Sequence, residues 1–411
     1  MYNAQPFRMT NERRRGQMSI TTTSAPGLVI PDELLDAIER RADGYDQAGQ
    51  FFREDFEALR DLGYYRAPLP ASFGGPGLTL SELATVHRRI AYRSASTALA
   101  SGMHLFWVGA AADRVAAGDE SAAWILRAVA DGAIIAAGHS EPGNDLGLWG
   151  SVSTAEPLGD GGYAFYGRKL FGSLSPVWTI LGVHGAAPDG SIVHGFVSRE
   201  DPGVRTEETW DTFALRATRS DDTVLDGAVS TADRVIAVLN QPPEGTSTGA
   251  GYLDSVAAWA VTLTSNVYLG IAQRAFDLAV ELASGRPSAR LGGKPRIEDP
   301  FLQTSLAESV AGLDAVEAHL DAAAREWTDR PVADIAWNRR LLSVKQHSTR
   351  TARAVVERSF EAIGGRSLRR GSLIERLYRD VAAGALHNPS QDTIIRALGS
   401  PDFTRRESFT R

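Results

Sequence analysis

The hydrophobic period changes twice along these 411 residues, and those two changes limit the fold more than any other feature. From about Ile30 to Gly132 apolar side chains recur every three or four residues, the spacing of helices that bury one face. From Ala133 to about Leu239 the pattern shortens to alternating or β-branched runs, among them Ser151–Ala155, Tyr163–Tyr166, Val177–Val183 and Ile192–Val197. Gly159-Asp160-Gly161-Gly162 and Pro188-Asp189-Gly190 divide these runs as turns divide strands. After Asn240–Gly251, a stretch rich in Pro, Gly, Ser and Thr, helical spacing returns from Tyr252 onward. A chain this long exceeds one simple core. The pattern predicts an α+β protein with a helical domain over 27–132, a β-barrel-like domain over 133–240 and a helical bundle over 241–411.

Local signals sharpen the outline. Pro31-Asp32 opens a first helix carrying Leu34, Leu35, Ile38 and Ala42, and a second stripe, Phe52, Phe56, Leu59 and Leu62, stops at Gly63. Thr79-Leu80-Ser81-Glu82 has the form of a capping box for a helix through Leu83, Val86 and Ile90. An apolar helix over about Ala98–Ala117 carries His104. The run from Tyr252 to Ala283 is apolar on more than one face, as an internal bundle helix is. Further helices are expected over roughly 300–328, 335–363 and 373–386, with Gly364-Gly365 as a C-cap and loop. Residues 1–26 are polar and aperiodic; they predict a disordered tail and lack the apolar segment of a secretory signal.

Charge and composition exclude several classes. The net charge is −7 with both signs interspersed, which disfavours nucleic acid or an anionic membrane as partner. No uninterrupted apolar run reaches 18 residues, so no spanning helix is expected. Cysteine is absent, which removes disulfides, thiol chemistry and cysteine-ligated metals, and a cytoplasmic location fits. No metal site is predicted.

Two short runs in the β region stand out. Gly138-His139-Ser140-Glu141-Pro142-Gly143-Asn144-Asp145 follows the strand-like Ala133–Ala137 and breaks into a turn that offers backbone N–H groups and the Ser140 hydroxyl. Gly167-Arg168-Lys169-Leu170-Phe171-Gly172-Ser173 closes a strand with an aromatic and, two residues on, a second hydroxyl. Such a pair suits a flat heteroaromatic ligand; taken alone, each run also reads as an ordinary turn.

The order and separation of the two runs resemble the flavin-contacting strands of the acyl-CoA dehydrogenase superfamily, typically T-E-P-G and G-x-K-x-[WF]-[IC]-[TS]. Leu62-Gly63 with Pro70-Ala71-Ser72-Phe73-Gly74-Gly75-Pro76-Gly77, the stretch Ala214–Ser220, and Gly270-Ile271-Ala272-Gln273-Arg274-Ala275 are similar to further motifs of that family, over roughly Ile30 to Leu398. The resemblance implies an N-terminal helical domain, a middle β-barrel and a C-terminal four-helix bundle, with flavin between the last two. It implies that Ser140 and Ser173 bond the edge of the flavin ring and that Phe171 packs near its face. It also implies that Arg286 reaches the cofactor's phosphates across a subunit interface, and that Gly364 and Gly365 lie against its far end. On the residues alone, Arg286 is equally a solvated loop cation and Gly364-Gly365 a plain C-cap. FAD is implied, or reduced FMN or FADH2 supplied by a separate reductase, in a homotetramer acting on a small molecule.

The family's dehydrogenases use a glutamate soon after an R-D pair. Here Arg379-Asp380 is followed by Leu386-His387-Asn388-Pro389, with Asn388 in the glutamate's place, and an amide is no general base. The alternative glutamate position on the long helix reads Ala258-Trp259-Ala260-Val261. His387 with Pro389 and Asp392 resembles instead the ending of the flavin-dependent monooxygenases of this fold, whose second histidine precedes the β-domain and matches His104. The resemblance therefore implies a two-component monooxygenase with His104 and His387 handling protons. Two other readings stay open: an acyl-CoA dehydrogenase with a relocated base, and a non-catalytic flavin-binding relative. His104 also reads as a core histidine, and His387 as a residue favoured by a helix C-terminus.

Overall fold

A computed structural model describes residues 27–144, 146–240 and 251–404; the expected tail over 1–26, Asp145 and nearly all of the expected linker lie outside them. Five helices come first: α1 (Asp32–Ala48), α2 (Arg53–Asp61), α3 (Leu80–Arg93), α4 (Ala95–Ala116) and α5 (Ala123–Ala130). The capping box forms at α3, where Thr79 Oγ1 accepts from Glu82 N–H and Glu82 Oε2 accepts from Thr79 N–H. Eight strands follow: β1 (Ile135–Gly138), β2 (Thr154–Pro157), β3 (Tyr163–Gly172), β4 (Ile180–Ala186), β5 (Ile192–Ser198), β6 (Val204–Glu207), β7 (Asp221–Ser230) and β8 (Val235–Leu239). The chain ends in α6 (Gly251–Ser284), α7 (Pro300–Asp329), α8 (Ile335–Ile363), α9 (Leu373–Ala382), α10 (Gln391–Leu398) and the short α11 (Pro401–Thr404).

The strands pair in the order β6-β7-β3-β2-β4-β5-β8, with β1 parallel to β4. Phe196 N–H on β5 donates to Ser230 Oγ at the end of β7, so the sheet curls back on itself. Among the described residues no ladder joins β6 to β8, and the expected barrel is an open, curled sheet. The stretch 210–220, which lies inside the expected β-domain, is an irregular loop with one 3₁₀ turn at Arg216–Thr218. Its backbone groups find partners in neighbouring loops and helices instead of a ladder.

One hydrophobic core runs through all three regions. The axis of the molecule is α6, which α3, α4 and α8 enclose. Gly270 makes the α3 crossing possible: a Cβ there would lie 2.8 Å from Ala91 Cβ. By length and composition α6 could cross a membrane, although its apolar residues form no uninterrupted run of 18, but most of its surface is buried by its neighbours.

Candidate active site

The first run is held by a buried ion pair. Glu141 receives Lys169 Nζ, Ser151 Oγ at 2.7 Å and Ser153 N–H at 3.2 Å on Oε1, and Val152 N–H at 3.1 Å on Oε2. Burial alone would push its carboxyl up; the Lys169 charge and these donors overcome that and hold it down at about 2. Burial in turn lowers Lys169 to about 8. The pair ties the turn after β1 to β3, and Leu170 N–H completes the link by donating to Ser140 O at 2.8 Å. Ser140 is thereby placed beside the end of β3, half-buried, its hydroxyl bonded to no described residue.

At that end Phe171 is 56% exposed and meets Trp210 edge-on, with ring centroids 6.1 Å apart. Ser173 is buried, and its Oγ lies 2.7 Å from Ser220 Oγ. Ser220 Oγ lies 2.7 Å from Thr218 Oγ1, which donates to Leu215 O at 2.9 Å. The backbones join as well: Leu174 N–H donates to Thr218 O and Ser175 N–H to Arg219 O.

The loop carrying Thr218 and Ser220 is clamped from the helical side by the R-D pair. Arg379 donates to Phe213 O at 2.9 Å and ion-pairs with Asp46 on α1, while Asp380 accepts Leu215 N–H at 2.7 Å. Arg216 adds a bond to Asp46 O at 2.9 Å. Burial raises the Asp380 carboxyl to about 6 against the pull of Arg376. The sequence offered this pair only as a landmark; its use as a clamp depends on contacts with residues more than a hundred positions away.

His387 follows α9 in the turn before α10. Its Nδ1 is hydrogen-bonded to the Tyr268 hydroxyl on α6, and its Nε2 meets no described residue. Burial first, and the Lys345 ammonium second, lower the imidazole to about 3, so the ring is neutral at physiological pH. Lys345, buried on α8, donates to Gly384 O at 3.2 Å, His387 O at 3.1 Å and Pro389 O at 3.5 Å, fixing the turn. The sequence carried one hint of this: a lone lysine inside the apolar stripe Leu341, Val344, Ala352 and Val355. Tyr268, whose hydroxyl stays protonated far above its ordinary pKa because it is buried, left no hint.

His104 is placed differently from the expectation. It is fully buried on α4, with Nε2 2.9 Å from Tyr65 O and Nδ1 accepting Ile135 N–H at 3.0 Å. Burial lowers it to about 4. Both nitrogens therefore hold backbone, and this geometry leaves neither free for a ligand; we assign His104 the role of joining α4 to the start of β1. His139, adjacent to Ser140, stacks within the sheet on His184 and His194 and against Trp107.

Arg286, Gly364 and Gly365 come together elsewhere, where α6 and α8 end. Gly364 has φ +78°, and a Cβ on it would lie 3.4 Å from Arg296 Nη1 and 4.0 Å from Arg286 Nη1. Arg366 lines the same recess, and Arg296 N–H donates to Arg286 O at 2.7 Å. None of these three arginines meets a carboxylate among the described residues. Three guanidinium groups lining one recess, two of them beside a glycine, suit phosphate oxygens. Among the described residues of one chain, the lining of this recess includes none of Ser140, Ser173 and His387. The sequence missed Arg296 and Arg366.

Comparison with known proteins identifies the family. The family models described as acyl-CoA dehydrogenase N-terminal domain and C-terminal domain match residues 33–132 and 262–391. YdbM of Bacillus subtilis, whose name assigns it only provisionally to the acyl-CoA dehydrogenases, is 31% identical over 90% of this chain and 94% of its own. A dibenzothiophene monooxygenase of Mycolicibacterium goodii is 30% identical over 84% of this chain and 86% of its own. A structure of KijD3 in complex with FMN and dTDP-3-amino-2,3,6-trideoxy-4-keto-3-methyl-D-glucose superposes with a TM-score of 0.79 at 27% identity, covering 95% of this chain and 99% of that one.

Proposed function

Because the chain belongs to the acyl-CoA dehydrogenase family, we propose that it is a flavin-dependent oxidoreductase working as the oxygenase of a two-component monooxygenase. It takes reduced flavin, FMN or FADH2, from a separate reductase and hydroxylates or N-/S-oxygenates a small molecule. The observation that carries this reading is His387, a neutral imidazole with a free Nε2, next to Asn388, which fills the position where the family's dehydrogenases carry a glutamate. The similarity to a monooxygenase and to an FMN-binding protein supports it.

The residues present fit a flavin. Ser140 has a hydroxyl without a described partner, Ser173 has free lone pairs, Phe171 offers an exposed ring, and Arg286, Arg296 and Arg366 line one recess, the first two beside Gly364. Bound flavin would supply the electrons and the reaction with O2. Ser140 and Ser173 hold the ring edge, and Phe171 with Trp210 covers it from solvent. Arg286, Arg296 and Arg366, with Gly364 and Gly365, hold the phosphates of the flavin in a neighbouring subunit, so each site is completed within a homotetramer. His387 takes the proton from the substrate's O–H or N–H at Nε2. The Tyr268 hydroxyl both donates and accepts, so His387 can present either a lone pair or an N–H there.

A dehydrogenase with a relocated base is the second reading, favoured by the similarity to YdbM. Asp380 is the buried carboxylate nearest in sequence to the expected position, but its Oδ1 holds Leu215 N–H. The two readings separate in one experiment. Protein mixed anaerobically with reduced FMN and then exposed to air with an oxygen electrode is expected to bind the reduced flavin and consume O2. Tightly held oxidised FAD that bleaches on adding an acyl-CoA would overturn the monooxygenase reading.

A further inference from the structure

The row of hydroxyls behind Ser173 has a direction. Thr218 has one hydroxyl proton, and Leu215 O, which can only accept, takes it at 2.9 Å. The contact between Thr218 Oγ1 and Ser220 Oγ at 2.7 Å must then use the Ser220 proton. By the same count the contact between Ser220 Oγ and Ser173 Oγ at 2.7 Å must use the proton of Ser173. Ser173 is left with lone pairs and no proton to offer.

The backbone is strained to keep this row in place. Among the described residues only four non-glycine residues have positive φ: Phe171 (60°), Leu174 (66°), Leu215 (53°) and Arg219 (44°). All four flank the row: two bracket Ser173, one supplies the terminal carbonyl, and one sits between Thr218 and Ser220. Left-handed backbone is costly for such side chains and persists where surrounding structure imposes it. At Leu215 the R-D clamp supplies that constraint, through Asp380 on its N–H and Arg379 on the nearby Phe213 O.

We propose that Ser220 and Thr218 are positioning residues that make Ser173 an obligate hydrogen-bond acceptor, and that this row selects reduced over oxidised flavin. The inference rests on the flavin reading above. The ring nitrogen N5 is a lone-pair acceptor in oxidised flavin and an N–H donor in the reduced form. An acceptor-only Ser173 at the ring edge gains a bond with the second and faces lone pair to lone pair with the first. An oxygenase supplied with reduced flavin by another protein needs this preference, because it lets the oxidised product leave.

The test compares dissociation constants for oxidised and reduced FMN, measured anaerobically, in the wild type and three variants. Ser220→Ala removes the acceptor and Thr218→Val removes the anchor, so in both the Ser173 proton can turn toward the ring. Each is expected to lower the oxidised-to-reduced ratio of dissociation constants about fivefold, the scale of one hydrogen bond. That is a fall of about 20 mV in the midpoint potential of bound flavin. Thr218→Ser restores the anchor and is expected to keep the wild-type ratio. An unchanged or raised ratio in both Ser220→Ala and Thr218→Val, with flavin still bound, overturns the inference alone. A wild-type protein that binds neither form overturns the flavin reading and the inference with it.

Discussion

His387 and His104 show what one residue type does in two settings. His387 keeps one nitrogen on Tyr268 and the other open, so His387→Ala is expected to lower turnover at least about a hundredfold, the scale of a lost acid–base group. Flavin affinity, measured by titration, should barely change; unchanged turnover would remove His387 from the mechanism. Because burial and Lys345 hold its pKa near 3, kcat/KM should show no acid limb near 6.5, the ordinary imidazole value. Lys345→Met removes a like charge and should move that limb upward, read from initial rates where circular dichroism shows folded protein. His104 holds two backbone groups, so His104→Ala should cost about 3 kcal/mol of stability in urea unfolding, from a cavity plus two orphaned polar groups. Sequence alone could not separate the two: both lie in apolar surroundings at family-matching positions, and only the partners of their nitrogens differ.

At the scale of elements, helices were legible and their contacts were not. Thr79 and Glu82 announced α3, and the expected span 335–363 is the span of α8, because capping and periodicity are local. The loop 210–220 left no local signal of its conformation because its partners, Asp46, Arg379 and Asp380, are distant in sequence. Asp380→Ala should therefore speed amide exchange across 210–219, measured by mass spectrometry, while leaving α8 protected; equal protection would dismiss the clamp. The arginine recess lies apart from Ser173 in one chain, so complementation tests the shared site. Ser173→Ala and Arg286→Ala homo-oligomers should each bind FMN weakly, and mixed oligomers should regain a fraction of wild-type sites. No recovery in verified mixed oligomers would place the recess outside the flavin site.

The whole molecule carries four fully buried histidines, His87, His104, His184 and His194, with pKa values lowered to about 3, 4, 4 and 3 chiefly by burial. Unfolded histidine titrates near 6.5, so between those values the unfolded chain binds more protons than the folded one. Their contribution to stability is full above pH 6.5 and declines as pH falls, by about 2 kcal/mol per histidine at pH 5. Urea midpoints measured from pH 8 to 5 should fall steeply below 6.5; a flat profile would contradict their burial as neutral rings. The account as a whole turns on one geometric claim, that the β-domain and the rear helices hold a flavin between hydroxyls and an imidazole. A crystal structure of the protein loaded with FMN tests it most directly. It should show the ring edge within hydrogen-bond reach of Ser140 and Ser173, His387 Nε2 facing the substrate space, and phosphate on Arg286 of a neighbouring subunit. A ring bound elsewhere, or a carboxylate facing it in place of His387, would contradict the account.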